Sequence, residues 1–260
     1  MKQKQIYYFS NEQTDEVVDF NVEKLKIDKN YKYERKNLLY KMFSFITYRI
    51  FATPAVWFYY KVLKRIKFVN KKILKEHKKG GYFIFANHTM KYGDGFCPAL
   101  ICFPKRPSVI VNADNVSIPF LGKFLQMWGA LPLPDTLSAT KNFYSAIEHS
   151  LLKNNPVIIY PEAHLWPYYT KIRPFPSLAF RYPIKYNKPV YSFTTVYKLK
   201  KQNKKPKIEI YIDGPFYHDI NIPQKQAQEK LKNEVYKTMQ ERSKLSDYQY
   251  VKYIKRSNND

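Results

Sequence analysis

Two short apolar runs constrain this chain more than any other feature: Tyr82-Phe-Ile-Phe-Ala86 and Val157-Ile-Ile-Tyr160. Each is too short for a helix, rich in aromatic or β-branched residues, and lacks the alternating polar positions of a strand with one wet face. They read as strands buried on both sides, which places them in a largely parallel sheet. In such sheets binding and catalytic residues gather beyond the carboxyl ends of the strands. Both runs end in polar, turn-forming sequence: Asn87-His88-Thr89-Met-Lys91-Tyr-Gly93-Asp94-Gly95 after the first, Pro161-Glu162-Ala-His164 after the second.

The first turn carries a general base. A neutral imidazole takes a proton from a hydroxyl near neutral pH, and a nearby carboxylate fixes its tautomer and stabilises the imidazolium that forms. His88 and Asp94 have these roles, and Gly93 and Gly95 give the backbone freedom to fold Asp94 back toward His88. A lone histidine at a strand end is more often a structural residue. The second strand end, with Glu162, tips the balance toward a site.

The rest of the chain supplies a scaffold. Further strands are expected at Ser108–Asn112, Ala130–Leu133, Val190–Tyr197 and Lys207–Asp213, and helices after Asp94, at Ile118–Met127, at Ser138–Lys153 with Ser138 as N-cap, at Pro176–Tyr186 and at Gln224–Arg242. In the last helix Ala227, Leu231, Val235 and Met239 share one face. Lys198 to Lys205 reads as a solvated hairpin tip or a second headgroup contact. Cys97 and Cys102 are the only cysteines, and they are assigned to packing. The five histidines lie in no zinc-binding spacing and no dinucleotide or Walker glycine pattern occurs, so no metal site is expected.

Four blocks in order make the chain resemble the glycerolipid acyltransferase family, whose simplest members are bacterial 1-acylglycerol-3-phosphate acyltransferases. They are Asn87 to Asp94, Gly129-Ala-Leu-Pro-Leu-Pro-Asp135, Tyr160-Pro-Glu162, and Asn187-Lys-Pro189-Val-Tyr-Ser-Phe-Thr-Thr195. The resemblance spans roughly Gly80 to Asp213. It implies an α/β fold with a mixed, mostly parallel central sheet flanked by helices, and an O-acyltransferase that moves a fatty acyl group from a thioester to a hydroxyl of lysophosphatidic acid or another lysolipid. Acyl-coenzyme A or acyl-carrier protein is the implied donor. His88 and Asp94 take the catalytic positions. Asn87, Thr89, Lys91, Glu162, His164, Lys171 and Arg173 are the expected substrate-binding residues, with Thr89 or main-chain N–H groups facing the oxyanion.

Three departures stand out. Five residues separate His88 from Asp94, one more than in the family pattern, and a bulge at Gly93 would absorb the extra one. Asp135 occupies the position of a family arginine, and Glu162-Ala-His-Leu165 replaces a Glu-Gly-Thr-Arg turn. Those arginines are credited with gripping the acceptor phosphate, a task suited to a planar, bidentate guanidinium. Lys91, Lys171 and Arg173 are possible replacements, with solvated loop charge the plainer reading. The other solution is an acceptor without a terminal phosphate.

Charge sets the surroundings. Lys and Arg number 45 against 21 Asp and Glu, a formal +24, and such a surface seeks polyanions. A nucleic-acid partner is not expected, because no RNP, KH or zinc-finger signature occurs and the lysines are spread along the chain. From Leu38 to Val69 aromatic and apolar residues interleave with lysines, but the longest uncharged run, Ile50 to Tyr60, is too short to cross a bilayer. Two helices hinged near Pro54, with Trp57, Phe58, Tyr59 and Tyr60 at the interface and Lys61, Lys64, Arg65 and Lys67 among headgroups, would lie in one leaflet of an anionic membrane surface. A hairpin packed on the protein's own core is the alternative. No signal peptide is read at the start, which puts the enzyme on the cytoplasmic face of the membrane, peripheral or monotopic. The organisation is then an arm over 1–37, a membrane-associating helical segment over 38–79 and the α/β domain with its C-terminal helix over 80–260. The rival from another class is a catalytically degenerate, membrane-bound interaction protein of the same fold.

Overall fold

The computed structural model describes residues 5–18, 22–77, 79–91, 93–200 and 205–256. The first half contains β1 (Ile6–Phe9), α1 (Leu38–Phe45), α2 (Thr53–Trp57), β2 (Lys67–Val69), α3 (Ile73–Glu76), β3 (Phe83–Ala86), α4 (Cys97–Ile101), β4 (Ser108–Val111), α5 (Ala113–Ser117) and α6 (Leu121–Met127). The second contains β5 (Ala130–Pro132), α7 (Leu137–Leu152), β6 (Val157–Ile159), α8 (Arg181–Lys185), β7 (Val190–Lys198), β8 (Lys207–Phe216), α9 (Gln224–Ser243) and β9 (Lys252–Lys255).

Seven strands form one sheet in the order β2-β8-β7-β3-β6-β4-β5, parallel except for the β7–β8 hairpin. The fold is the mixed, mostly parallel α/β sheet flanked by helices that the family resemblance implied. All four residues of β3 are buried, and its faces feed two apolar clusters. Phe83 and Phe85 point into one with Phe143, Ile147, Leu231 and Val235, while Ile84 and Ala86 point into the other with Leu100, Ile101 and Ile212. Pairing of Phe85 with Ile159 aligns the ends of β3 and β6. Residues three positions beyond, His88 and Glu162, therefore emerge side by side.

Some local expectations change. The segment 38–63 is not two helices hinged at Pro54: α1 and α2 are joined and continued by π-helical turns, Ile46–Ala52 and Phe58–Leu63, with every junction residue helical. Pro54 lies inside this continuous helix, just after the wider π turn, at the start of α2. The wider π turn before it is closed by the Thr53 N–H and hydroxyl, both on the Tyr48 carbonyl. The Ile118–Met127 helix is broken instead of capped by its proline, because Ile118 precedes Pro119 and turns extended at ψ 123°. Pro176–Tyr186 begins as a 3-10 turn, Ser177–Phe180, before α8. Thr136, not Ser138, caps α7. The tip of the β7–β8 hairpin, 201–204, lies outside the described residues.

The arm makes defined contacts with the rest of the chain. β1 pairs in parallel with β9, so the two ends of the described chain form their own small sheet. Farther along, Ile27 is fully buried, its N–H donates to the Asp135 carboxylate at 2.7 Å, and its carbonyl accepts the Asp135 N–H at 3.1 Å. The carboxylate at the position of a family arginine thus fastens the arm.

Candidate active site

β3 delivers Asn87 and His88 at the carboxyl edge of the sheet. Asn87 is buried and clasps the neighbouring strand, its side-chain oxygen accepting the Thr195 N–H at 2.8 Å and its amide donating to the Thr195 carbonyl at 3.2 Å. It holds the strand ends together and is not available to substrate, contrary to the sequence expectation. Past His88 the chain turns back. The Gly93 and Asp94 N–H groups both donate to the Met90 carbonyl, at 3.0 and 3.3 Å. Gly93 does this without a positive φ; its lack of a side chain matters because a Cβ there would meet the Met90 side chain at 2.8 Å.

The turn brings Asp94 Oδ2 to 2.7 Å from His88 Nδ1 despite the longer spacer. The carboxylate is buried, while the imidazole keeps about a quarter of its side-chain surface. With Nδ1–H donated to Asp94, Nε2 carries the lone pair that takes a proton. Burial pushes the Asp94 carboxyl above its usual range, opposed by its hydrogen bonds from His88 and from the Met90 N–H at 3.0 Å.

Glu162 lies beside the base but faces inward. Its side chain and that of Arg173 have no solvent exposure and pair at 3.1 Å. Oε1 accepts the Arg173 N–H at 3.2 Å, and Oε2 accepts the His88 N–H at 3.3 Å. The guanidinium also donates to the Glu12 and His164 carbonyls and lies over Trp166. Arg173 is consequently no replacement phosphate clamp, and Glu162 is no acceptor ligand in this structure: each satisfies the other. Burial raises Glu162, with Arg173 pulling it back.

Thr89 is also turned away. Its hydroxyl donates to Tyr197 Oη at 2.9 Å, and the Tyr197 hydroxyl donates to the Thr89 carbonyl at 3.0 Å, both groups being buried. That geometry replaces the expected oxyanion role with a structural one. His164 faces the arm, Nδ1 lying 3.3 Å from Glu16 Oε1. Lys91 and Lys171 are exposed. Cys97 and Cys102 are free and buried, as packing residues are; burial raises the Cys102 thiol to about 12. Among the described residues no group of three or more His, Cys, Asp or Glu side chains comes together to hold a metal ion.

Two aromatic residues escaped the sequence reading of the site. Tyr160 packs on the His88 ring at 4.6 Å and donates its hydroxyl to the Asp94 carbonyl. Trp166 donates its N–H to the His88 carbonyl at 3.0 Å and its indole N–H to the Asp15 carbonyl at 2.9 Å, and it stacks on Tyr253. Tyr160 stood inside a quoted motif and could have been found there. Nothing local marks Trp166, whose partners come from both ends of the chain.

An imidazole backed by a buried carboxylate, partly exposed and mounted beyond the central strand of an α/β sheet, is an arrangement chemically suited to activating a hydroxyl. The model of the Acyltransferase family matches residues 65–196, half of the chain, and this protein belongs to that family. The crystal structure of the 1-acyl-sn-glycerophosphate (LPA) acyltransferase PlsC from Thermotoga maritima is similar in fold, with a TM-score of 0.51 at 12% sequence identity, covering 79% of this chain and 97% of that one. No curated protein matches the chain.

Proposed function

We propose that this acyltransferase esterifies a lysolipid hydroxyl from an acyl thioester at a membrane surface. The carrying observation is the 2.7 Å contact between His88 and Asp94 in a chain of this family. Nε2 removes the acceptor proton as the oxygen attacks the thioester carbonyl. The tetrahedral intermediate collapses with cleavage of the C–S bond, and the imidazolium returns the proton to the leaving thiolate. Asp94 holds the tautomer and offsets the imidazolium charge, and no acyl-enzyme is needed. In this reading the donor is acyl-coenzyme A or acyl-carrier protein.

The helical segment supports the membrane side of this reading. Its inward face presents Ser44, Thr47, Tyr48, Thr53 and Tyr60, and its outward face exposes Leu39, Phe43, Ile50, Phe51, Trp57, Phe58 and Leu63. A helix with its apolar side facing out lacks the pattern of one packed wholly on its own core. No helix among the described residues is long and apolar enough to cross a membrane. We read the segment as lying in one leaflet, its basic residues among anionic headgroups, on the cytoplasmic face. Tyr60 joins Met90, Cys97 and Leu100 in the cluster under the dyad turn, which sets the segment against the site. The acceptor would then arrive from the bilayer, with exposed Lys91 and Lys171 as contacts for an anionic headgroup.

The intact dyad favours an enzyme over a degenerate interaction protein. Purified protein given a radiolabelled acyl thioester and vesicles holding a panel of lysolipids, with His88→Ala as control, tests the proposal. Acyl transfer to a lysolipid that disappears in the control supports it, and no transfer to any acceptor defeats it.

A further inference from the structure

Tyr160 sits where two elements of the site meet. It follows the last residue of β6, and the alignment of β6 with β3 brings it across from the dyad turn. Its ring covers the His88 imidazole, with centroids 4.6 Å apart and planes 31° from parallel. Its hydroxyl donates to the main-chain carbonyl of Asp94, the residue that orients the base. One side chain therefore touches both members of the dyad, by a face on one and a hydrogen bond on the other. Burial beside Asp94 holds the phenol well above its ordinary range, so it remains an O–H donor throughout the working pH.

The turn makes this contact consequential. Asp94 must return to His88 across a five-residue spacer, and its return is secured at one end by the N–H groups of Gly93 and Asp94 on the Met90 carbonyl. The Asp94 carboxylate is tied to His88 and to the Met90 N–H. Beyond it the chain runs into α4 at Cys97. The Tyr160 hydroxyl reaches this turn from the neighbouring strand and fixes the Asp94 backbone to the sheet. A phenylalanine at this position keeps the ring and gives up the tether.

We propose that Tyr160 is a positioning residue for the His88–Asp94 pair, its hydroxyl pinning the extended turn so that the carboxylate stays on Nδ1 and its ring setting the plane of the imidazole. The proposal rests on His88 acting as the base, and it makes the hydroxyl matter more than the aromatic ring alone.

Tyr160→Phe separates the two parts. The expected result is a fall in kcat of about 10-fold with KM for donor and acceptor within about 2-fold of the parent, because geometry at the base is lost and substrate contacts are not. Folded protein measured in parallel should show a shifted or broadened low-field proton resonance of the His88 Nδ1–H, identified by its absence in His88→Ala. This readout needs no substrate, so it remains informative if the lysolipid reading fails. A parent-like resonance overturns the proposal whatever the rate, and so does parent-like kcat. Loss of kcat only in proportion to loss of folded protein would assign Tyr160 a packing role and also overturn it.

Discussion

Glu162 and Arg173 form an ion pair that is wholly shut off from solvent, 3.1 Å apart, and the same Glu162 oxygen accepts the N–H of His88. The pair is joined to the backbone of the base. Arg173 also reaches the Glu12 carbonyl, so the arm, the loop after β6 and the dyad turn converge on one guanidinium.

Removing half of this pair should damage the fold more than substrate affinity. Arg173→Met strands a buried carboxylate and is expected to cost about 3–5 kcal/mol in urea denaturation. Burial already raises Glu162, and loss of Arg173 removes what opposes that shift, so the variant should lose further stability as pH rises through the raised value. Replacing both residues, Arg173→Met with Glu162→Leu, should recover much of the loss. A selective rise in KM for phosphorylated acceptors with unchanged stability would contradict this assignment.

His88→Ala should reduce turnover by about 10²–10⁴-fold or more, as expected for loss of a general base. Near-parent turnover in a radiolabel assay would exclude the proposed chemistry.

Asp94→Asn should separate activity from stability. The raised Asp94 carboxyl contributes stability that is present below its unfolded value and lost as pH rises through its folded value. The asparagine variant should therefore lose kcat, while its melting temperature relative to the parent moves upward as pH rises from the ordinary carboxylate range through the raised value. Melting curves across that range provide the check, and a relative fall would reverse the sign argued here.

Asp135→Ala should loosen the arm, because it leaves the N–H of buried Ile27 without its side-chain acceptor. A cost of about 1–3 kcal/mol is expected from an unsatisfied buried donor. Urea denaturation measures it, and parent-like stability would show that the hook contributes little.

Replacing Trp57 and Phe58 by Asp should move the protein off anionic vesicles in flotation experiments, since both are exposed on the apolar face. High salt alone should release the parent only partly, because apolar insertion is not screened. Complete release by salt would place the segment outside the bilayer.

Hydrophobic period and local chemistry made much of this protein legible. The unbroken apolar runs at β3 and β6 signalled a buried parallel sheet, and Asn87 to Asp94 marked the turn where the base stands. Those features depend on residues close together in sequence: a strand must bury its own faces, and a short turn keeps an imidazole and a carboxylate near each other along the chain. The roles of Glu162, Arg173, Thr89, Asn87 and Asp135 were decided by tertiary structure. Each is polar and placed as a ligand would be, yet a partner remote in the fold or buried from water claims it: Thr195 for Asn87, Tyr197 for Thr89 and Ile27 for Asp135 lie 108 residues away. A buried polar group must find its partner inside the protein, and which partner it finds is set by how strands and arm are brought together, information that no local spacing contains.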